Sequence, residues 1–290
     1  AEVMSKPSIF TDISDCYYQF TASEKKITNY ILSHQEEVQY LSISDLAEAC
    51  GVGDATISRF CRKLNLPSYN AFRLLVATSA ASESNDSDQM FFSGNFNPND
   101  TIKDMAFKIM QAETAAIKQT SELIDSECYR KAADALSHAD RVFCMGQGGS
   151  MIIAEEVWHL FSTSFPNYIF QEDTHLQTIV LSTASPRDVL LLFSYSGATR
   201  DTADLLALAR ERQVKTILVT RFLKSPGARC ADIILQCGSN EGPLQIGSTV
   251  AKMVQLFVAD ILFNEVCLCN AERAKEYREN VAEALAKLHL

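Results

Sequence analysis

Val189-Leu190-Leu191-Leu192-Phe193-Ser194-Tyr195-Ser196-Gly197-Ala198-Thr199-Arg200-Asp201 is an apolar run that stops abruptly in hydroxyls and one glycine. Five consecutive apolar residues bounded in this way have the length and composition of a strand buried on both faces. A helical pattern follows over residues 201–212. Ser-x-Ser-Gly-x-Thr between a buried strand and a helix suits an anion. The glycine lets the backbone turn tightly and approach a ligand. The first N–H groups of the helix lack intrahelical partners and point at whatever precedes it. Ser194, Ser196 and Thr199 add neutral donors. The plainer reading is that Ser196 or Thr199 simply caps the helix. One cap needs one hydroxyl, and three are present.

A second turn has the same character. Residues 141–145 read as a short strand, which runs into Gly146-Gln147-Gly148-Gly149-Ser150 and then a helical pattern over 151–161. It is not the dinucleotide fingerprint, because Met151 stands where the third glycine of G-x-G-x-x-G would be. It is not a Walker A loop either, since no Gly-Lys-Ser/Thr follows. Two strand-to-helix turns rich in Gly and Ser point to one phosphate-bearing ligand near the carboxyl ends of a parallel sheet. Further strands are expected at 168–171, 189–193, 216–219 and 233–236, alternating with helices. Such alternation argues for a parallel sheet covered on both faces. Helices are expected at 101–123, 126–137, 249–267 and 271–288.

These residues resemble the sugar isomerase (SIS) domain. The resemblance rests on Gly146-Gln147-Gly148-Gly149-Ser150, Ser194-Tyr195-Ser196-Gly197-Ala198-Thr199, Thr220, Ser225-Pro226 and Glu241, and spans residues 126–263. It implies a flavodoxin-like α/β sandwich on a five-stranded parallel sheet, with a phosphosugar as ligand. In that family the hydroxyls after the second strand grip the sugar phosphate. Carried over, they are Ser194, Ser196 and Thr199, with the Gly148 and Gly197 turns around the ligand and Ser150 beside the sugar. Two departures are visible. Where the family has Ser-Arg opening the helix after Glu241, this chain has Ser248-Thr249, and Gly227 replaces the usual leucine after Ser225-Pro226.

Enzymes built on this domain need a general base near a substrate carbon. Glu241 and His175 are the available groups. Glu241 is assigned to hydrogen bonding with ligand hydroxyls in preference to base catalysis. His175 reads equally as a sugar contact or as a helix N-terminal residue with a satisfied hydrogen bond.

The amino-terminal third carries a different pattern. Thr21-Ala22-Ser23-Glu24 is a capping box, and Ile27, Tyr30 and Ile31 then share one helical face. Ser42-Ile43-Ser44-Asp45 has the same spacing with Asp as the acid, and Gly51 takes the place of a left-handed residue after that helix. A third helix is expected over 54–64. Two short helices joined by a glycine-containing turn fit a helix-turn-helix. Ile57, Phe60, Cys61 and Leu64 point inward, leaving Thr56, Ser58, Arg59, Arg62 and Lys63 outward as DNA contacts. In this motif the second helix lies in the major groove, so Arg59 is placed to fork onto guanine and Arg62 and Lys63 to hold phosphates. The plainer alternative is a solvated helix with its charges outside. Residues 18–80 resemble the helix-turn-helix domain of RpiR-type bacterial transcription regulators, on Leu46-Ala47-Glu48-Ala49-Cys50-Gly51-Val52 and on the run from Ala55 to Leu64. That family joins this domain to a sugar isomerase domain, in this order. Gly53 departs from the family's N-cap serine, at an expected loss of only a few tenths of a kcal/mol. Asp54 follows it in the first helical turn.

Composition agrees with this reading. The chain has 290 residues and a net charge of −10, which excludes a generally basic nucleic-acid coat and leaves a local basic face open. Nine cysteines lie scattered in apolar segments without a C-x-x-C, which reads as reduced core thiols in a cytosolic protein and no metal site. No signal peptide pattern opens the chain, and the apolar run at 253–263 is too short to span a bilayer. A cytoplasmic, membrane-free protein is expected. The expected division is an all-α helix-turn-helix domain at 1–81, a linker at 82–100 and the α/β SIS domain with flanking helices at 101–290. The expected function is a regulator of sugar metabolism, a homodimer or homotetramer on double-stranded DNA, modulated by a phosphosugar, with no catalytic residues and no cofactor. The alternatives are a phosphosugar isomerase using Glu241, or a DNA-binding protein whose SIS domain only dimerises.

Overall fold

Ser8 accepts a hydrogen bond from the Phe10 N–H at 3.3 Å and so caps the first helix, α1 (Ile9–Asp15). The computed structural model describes residues 8–83, 96–239 and 248–288. Four more helices follow: α2 (Ala22–Ser33), α3 (Ile43–Ala49), α4 (Asp54–Lys63) and α5 (Tyr69–Glu83). Both capping boxes form. The Thr21 N–H donates to Glu24 at 2.7 Å, and the Asp45 N–H donates to Ser42 Oγ at 3.1 Å. Ile13, Ile27, Ile31, Leu46, Ile57, Phe60, Phe72 and Val76 close one core. Two of its helices, α1 and α5, are not announced by a clean period. The first is under two turns long, and in the second the exposed Leu74 and Leu75 blur the stripe made by Phe72, Val76 and Ala80. The Ile9 N–H donates to Ser79 Oγ at 2.9 Å, joining the two.

The chain forms two compact units, which part between Ala112 and Glu113 within α6 (Ile102–Glu122). The second unit continues as α7 (Ser126–Ser137), β1 (Val142–Gly146), α8 (Gly149–Ser162), β2 (Tyr168–Phe170), α9 (Thr174–Ser182), β3 (Val189–Phe193), α10 (Arg200–Glu211), β4 (Lys215–Thr220), β5 (Ile233–Gln236), α11 (Thr249–Cys269) and α12 (Ala271–Ala286). Its five strands are parallel, in the order β2-β1-β3-β4-β5. Side chains alternate between two cores, as a sheet covered on both faces requires. Val142, Cys144, Leu191, Phe193, Ile217 and Val219 pack with α7, α8 and α11. Phe143, Met145, Leu190, Leu192 and Leu218 pack with Leu181 of α9 and with Leu205, Leu206 and Ala209 of α10.

The expected alternation of strand and helix fails once. No helix joins β4 to β5, and residues 221–232 make the crossing in turns. Pro226 and Gly227 sit in its middle and oppose a helix there. At the other end of the sheet Arg141 clamps the buried Asp188, Nε to Oδ1 at 3.1 Å and Nη2 to Oδ2 at 2.7 Å. All nine cysteines are free. Burial pushes the Cys50 and Cys61 thiols up to about 11, whereas Cys230 and Cys269 are exposed, contrary to a wholly buried set. Among the described residues no group of His, Cys, Asp and Glu could hold a metal, and no single helix is long and apolar enough to cross a membrane. The residues expected as a linker fall mostly outside the described residues, including Met90, Phe91 and Phe92.

Candidate functional site

The sheet register sets the site. Gly146 at the end of β1 pairs with Phe193 at the end of β3, so the loops 147–150 and 194–199 leave neighbouring strands side by side, about 4.8 Å apart. They then diverge. The helix after β1, α8, packs on one face of the sheet, and the helix after β3, α10, packs on the other. A crevice opens between them, at the point in an open parallel sheet where ligands are bound. Gly148 and Ser150 lie in the first of these loops, and Ser194, Ser196, Gly197 and Thr199 in the second.

In the second loop the hydroxyls have distinct positions. Ser194 is buried, and its Oγ accepts from Thr202 Oγ1 at 2.8 Å. Thr199 Oγ1 lies 2.7 Å from Thr202 Oγ1 and caps α10 by accepting the Thr202 N–H at 3.3 Å. Each hydroxyl has one proton. Because Thr202 gives its proton to Ser194, Thr199 must give its own to Thr202. The Ser194 proton is the one this chain leaves over, aimed by a hydroxyl row that begins at the helix cap. Thr199 is therefore the cap of the plainer reading and also the head of the row. Ser196 is half-buried, and its Oγ accepts the Ala198 N–H at 3.3 Å. The backbone at Gly197 has φ +60°, and a methyl group there would collide with Ser225 Oγ and with Thr220 Oγ1. Gly227, the departure from the resembled family, donates its N–H to the Gly197 carbonyl at 2.8 Å.

The first loop is held from below. Gln177, fully buried, donates to the Gly146 carbonyl at 3.2 Å and to the Gln171 carbonyl at 2.8 Å, and it accepts from Gln147 at 2.8 Å. Gly148 caps α8 with φ +56° and no side chain. Gly149 starts α8, and the Lys252 Cε sits 3.7 Å from where its Cβ would be. Lys252 is the lone cation in α11, and the sequence reading missed it. One basic residue in an otherwise apolar or acidic helix was the available signal. His175 lies exposed in the first turn of α9, after the strand next to β1, and is not joined to the crevice by any bond described. Glu241 lies outside the described residues.

In the first unit α4 exposes Arg59 and Arg62, and Thr56 and Ser58 are half-buried beside them. Arg59 Nη2 donates to Thr56 Oγ1 at 3.2 Å, which orients the guanidinium along the helix. Lys63 is exposed, as expected, and its ammonium already has partners within this unit. Its ammonium donates to Glu24 at 2.8 Å and to the Gln19 carbonyl at 3.1 Å, and lies over the Phe20 ring. Burial alone would raise the Glu24 pKa, but the Lys63 and Thr21 hydrogen bonds outweigh it and hold the carboxyl below its usual range. Asp54 is tied to α3, because Ser44 Oγ donates to it at 2.7 Å. That bond links the two helices of the motif across a cap, Gly53, that has no side chain of its own.

Comparison with known proteins agrees with both units. The family described as "Helix-turn-helix domain, rpiR family" matches residues 8–83, and the SIS domain matches residues 135–265. The HTH-type transcriptional regulator TTE0211 of Caldanaerobacter subterraneus is 33% identical over 268 residues, covering 92% of this chain and 93% of its own. An HTH-type transcriptional regulator of Thermotoga maritima is 30% identical over 252 residues, covering 87% and 89%. In structure, the Vibrio vulnificus NanR protein complexed with ManNAc-6P superposes with a TM-score of 0.83 at 23% identity, covering 97% of this chain and 99% of that one. With two relatives at that identity over nearly their whole length, this chain belongs to the RpiR family of helix-turn-helix transcription regulators that carry a SIS domain.

Proposed function

We propose that this regulator reads an operator with α4 and senses a phosphosugar in the crevice between the loops 147–150 and 194–199. The observation that carries the reading is the placement of two glycine-hydroxyl loops on the adjacent strands β1 and β3, with their helices leaving to opposite faces. Such a crevice offers backbone N–H groups from two helix starts, which favour an anion. Ser194, Ser196 and Ser150 add hydroxyl donors, and Lys252 of α11, beside Gly149, supplies a cation. A phosphoryl group fits such a set of donors. The sugar then extends toward Ser150, with His175 and Glu241 as further contacts. NanR, of the same fold, is described in complex with the phosphosugar ManNAc-6P.

On the DNA side Arg59 reads a base and Arg62 a phosphate, with Thr56 and Ser58 beside them. Two copies, as a homodimer or as half of a homotetramer, read a pseudo-palindromic site with half-sites one or more helical turns apart. The phosphosugar acts by preferring one arrangement of the reading heads. The attached reading head argues for sensing in place of turnover, since a regulator needs affinity and a response.

The test is a thermal shift against a panel of phosphosugars, each beside its unphosphorylated parent. A phosphosugar at a hundred times its Kd stabilises by about 2.7 kcal/mol. A shift from one phosphosugar and not its parent, without turnover of that sugar, is the expected result. Silence across the panel removes the sensor and leaves the SIS unit as a dimeriser. Turnover that depends on Glu241 makes the protein an isomerase.

A further inference from the structure

Tyr18 is the most exposed large apolar or aromatic side chain among the described residues, at 90%. It stands in the single 3-10 turn Tyr17–Gln19, which joins α1 to α2. The backbone of this turn is fixed. The Gln19 N–H donates to the Cys16 carbonyl at 2.9 Å, and the Phe20 N–H to the Tyr17 carbonyl at 3.2 Å. The buried Phe20 packs on Phe60 of α4, with ring centres 5.3 Å apart. Lys63 of α4 donates to the Gln19 carbonyl at 3.1 Å. The Tyr17 and Tyr18 rings meet edge to face at 5.9 Å, and the Lys25 ammonium lies 5.4 Å from the centre of the Tyr17 ring. A single exposed aromatic is ordinary on a protein surface. This one is distinguished by its place, on a backbone fastened to the reading helix.

Arg59 and Lys63 are four residues apart, so they share one row along α4, with Thr56 before them. In a helix-turn-helix the early residues of the second helix meet base edges. The last member of this row, Lys63, gives its ammonium to Gln19 and Glu24. Tyr18, next to Gln19 in the chain, therefore lies off the carboxyl end of the row. An α-helix with its side chains is about 10–12 Å across, and the major groove is about 12 Å wide. A helix in the groove fills it, so a group flanking that helix meets the groove wall, which is sugar and phosphate. Tyrosine is among the side chains that bind phosphate oxygens there. Glu24 beside the turn is bound by Lys63 at 2.8 Å. The contact asked of Tyr18 is a neutral hydrogen bond, which does not depend on a sum of nearby charges.

We infer that the Tyr18 hydroxyl donates to a DNA phosphate beside the bases read by α4, so that the turn 17–19 is a second, sequence-independent foothold on the duplex. The inference rests on α4 being the reading helix.

The probe is a labelled duplex that wild type selects from a random 20-base-pair library, followed by fluorescence anisotropy on the full chain at several salt concentrations. Tyr18→Phe removes only the hydroxyl and should weaken binding about three- to tenfold, equally for the selected duplex and for its single-base variants. Its salt slope should match wild type, because a neutral donor releases no counterion. Tyr18→Lys puts a cation at the same place and should steepen the slope by about 1. Unchanged affinity in Tyr18→Phe overturns the hydroxyl contact, and an unchanged slope in Tyr18→Lys overturns the placement beside a phosphate. A loss confined to some base variants also overturns the foothold, since Tyr18 then reads sequence. Arg59→Ala and Arg62→Ala are measured alongside. If they weaken binding and Tyr18→Phe does not, only the foothold falls. If they leave binding unchanged, or wild type selects no duplex, α4 is not the reading helix and both readings fall.

Discussion

The Gly227 N–H donates to the Gly197 carbonyl at 2.8 Å, and neither glycine has room for a side chain. A Cβ on Gly227 would lie 2.8 Å from that same carbonyl oxygen, and one on Gly197 would strike Ser225 and Thr220. Two glycines far apart in sequence thus hold the hydroxyl loop of the crevice in one shape.

Gly197→Ala should therefore cost more than a left-handed backbone alone. The φ of +60° accounts for about 1–2 kcal/mol, and forcing a methyl group into the packed turn adds about 1–3 kcal/mol. Gly51 is the control, since its φ is +62° with nothing within 4 Å of the added Cβ. Urea unfolding of the two variants checks this. Equal losses would show that the fit at Gly197 is loose.

In DNA binding the three basic residues of α4 should separate. Arg59→Ala should cost about 1–3 kcal/mol and relax preference at one base pair. Arg62→Ala should weaken all sequences alike and lower the salt slope by about 1. Lys63→Ala should scarcely change operator affinity, because its ammonium is held by Glu24 and Gln19. Binding isotherms at several salt concentrations give all three answers. A salt slope reduced by Lys63→Ala would return that residue to the DNA face.

The hydroxyl row makes a prediction about effector binding. Thr202→Val keeps the shape but leaves Ser194 without the donor that orients it. It should cost about 1 kcal/mol of stability and reduce the phosphosugar shift, and Lys252→Met should reduce that shift as well. Thermal shifts with and without the responding phosphosugar measure both. An unchanged shift in both variants would move the phosphate out of this crevice.

Acid stability should hinge on Asp188. Burial would raise its pKa, but the Arg141 clamp and the Ser185 N–H, which donates at 2.7 Å, hold the carboxyl below its usual range. Its folded pKa lies under its unfolded one, so the contribution is full above the ordinary carboxylate range and is lost as pH falls through the folded value. Arg141→Met leaves the buried carboxylate without its cation and should cost about 3 kcal/mol at neutral pH. In Asp188→Asn the stability profile should flatten below about pH 4. A variant with the acid limb of wild type would put that limb on other carboxylates.

Much of this molecule was legible residue by residue. The run 189–193 reads as a doubly buried strand because no polar residue interrupts it, and it forms β3 between two cores. Thr21 and Ser42 announce helix starts because a capping box is a local pattern of four residues. The boundary between α4's buried and exposed faces follows from the 3.6-residue period. What local pattern could not show was partnership at long range. Nothing near Lys63 in sequence points to Glu24, and nothing near Gly197 points to Ser225 and Gly227. Nothing near Lys252 in sequence points to the first turn of α8, where its Cε lies beside Gly149. Local pattern is enough for most elements, their order and the types of donor at each turn, since these depend on neighbours within a few residues. Which donors meet depends on the packed fold, because strand order and register are set by packing both sheet faces at once.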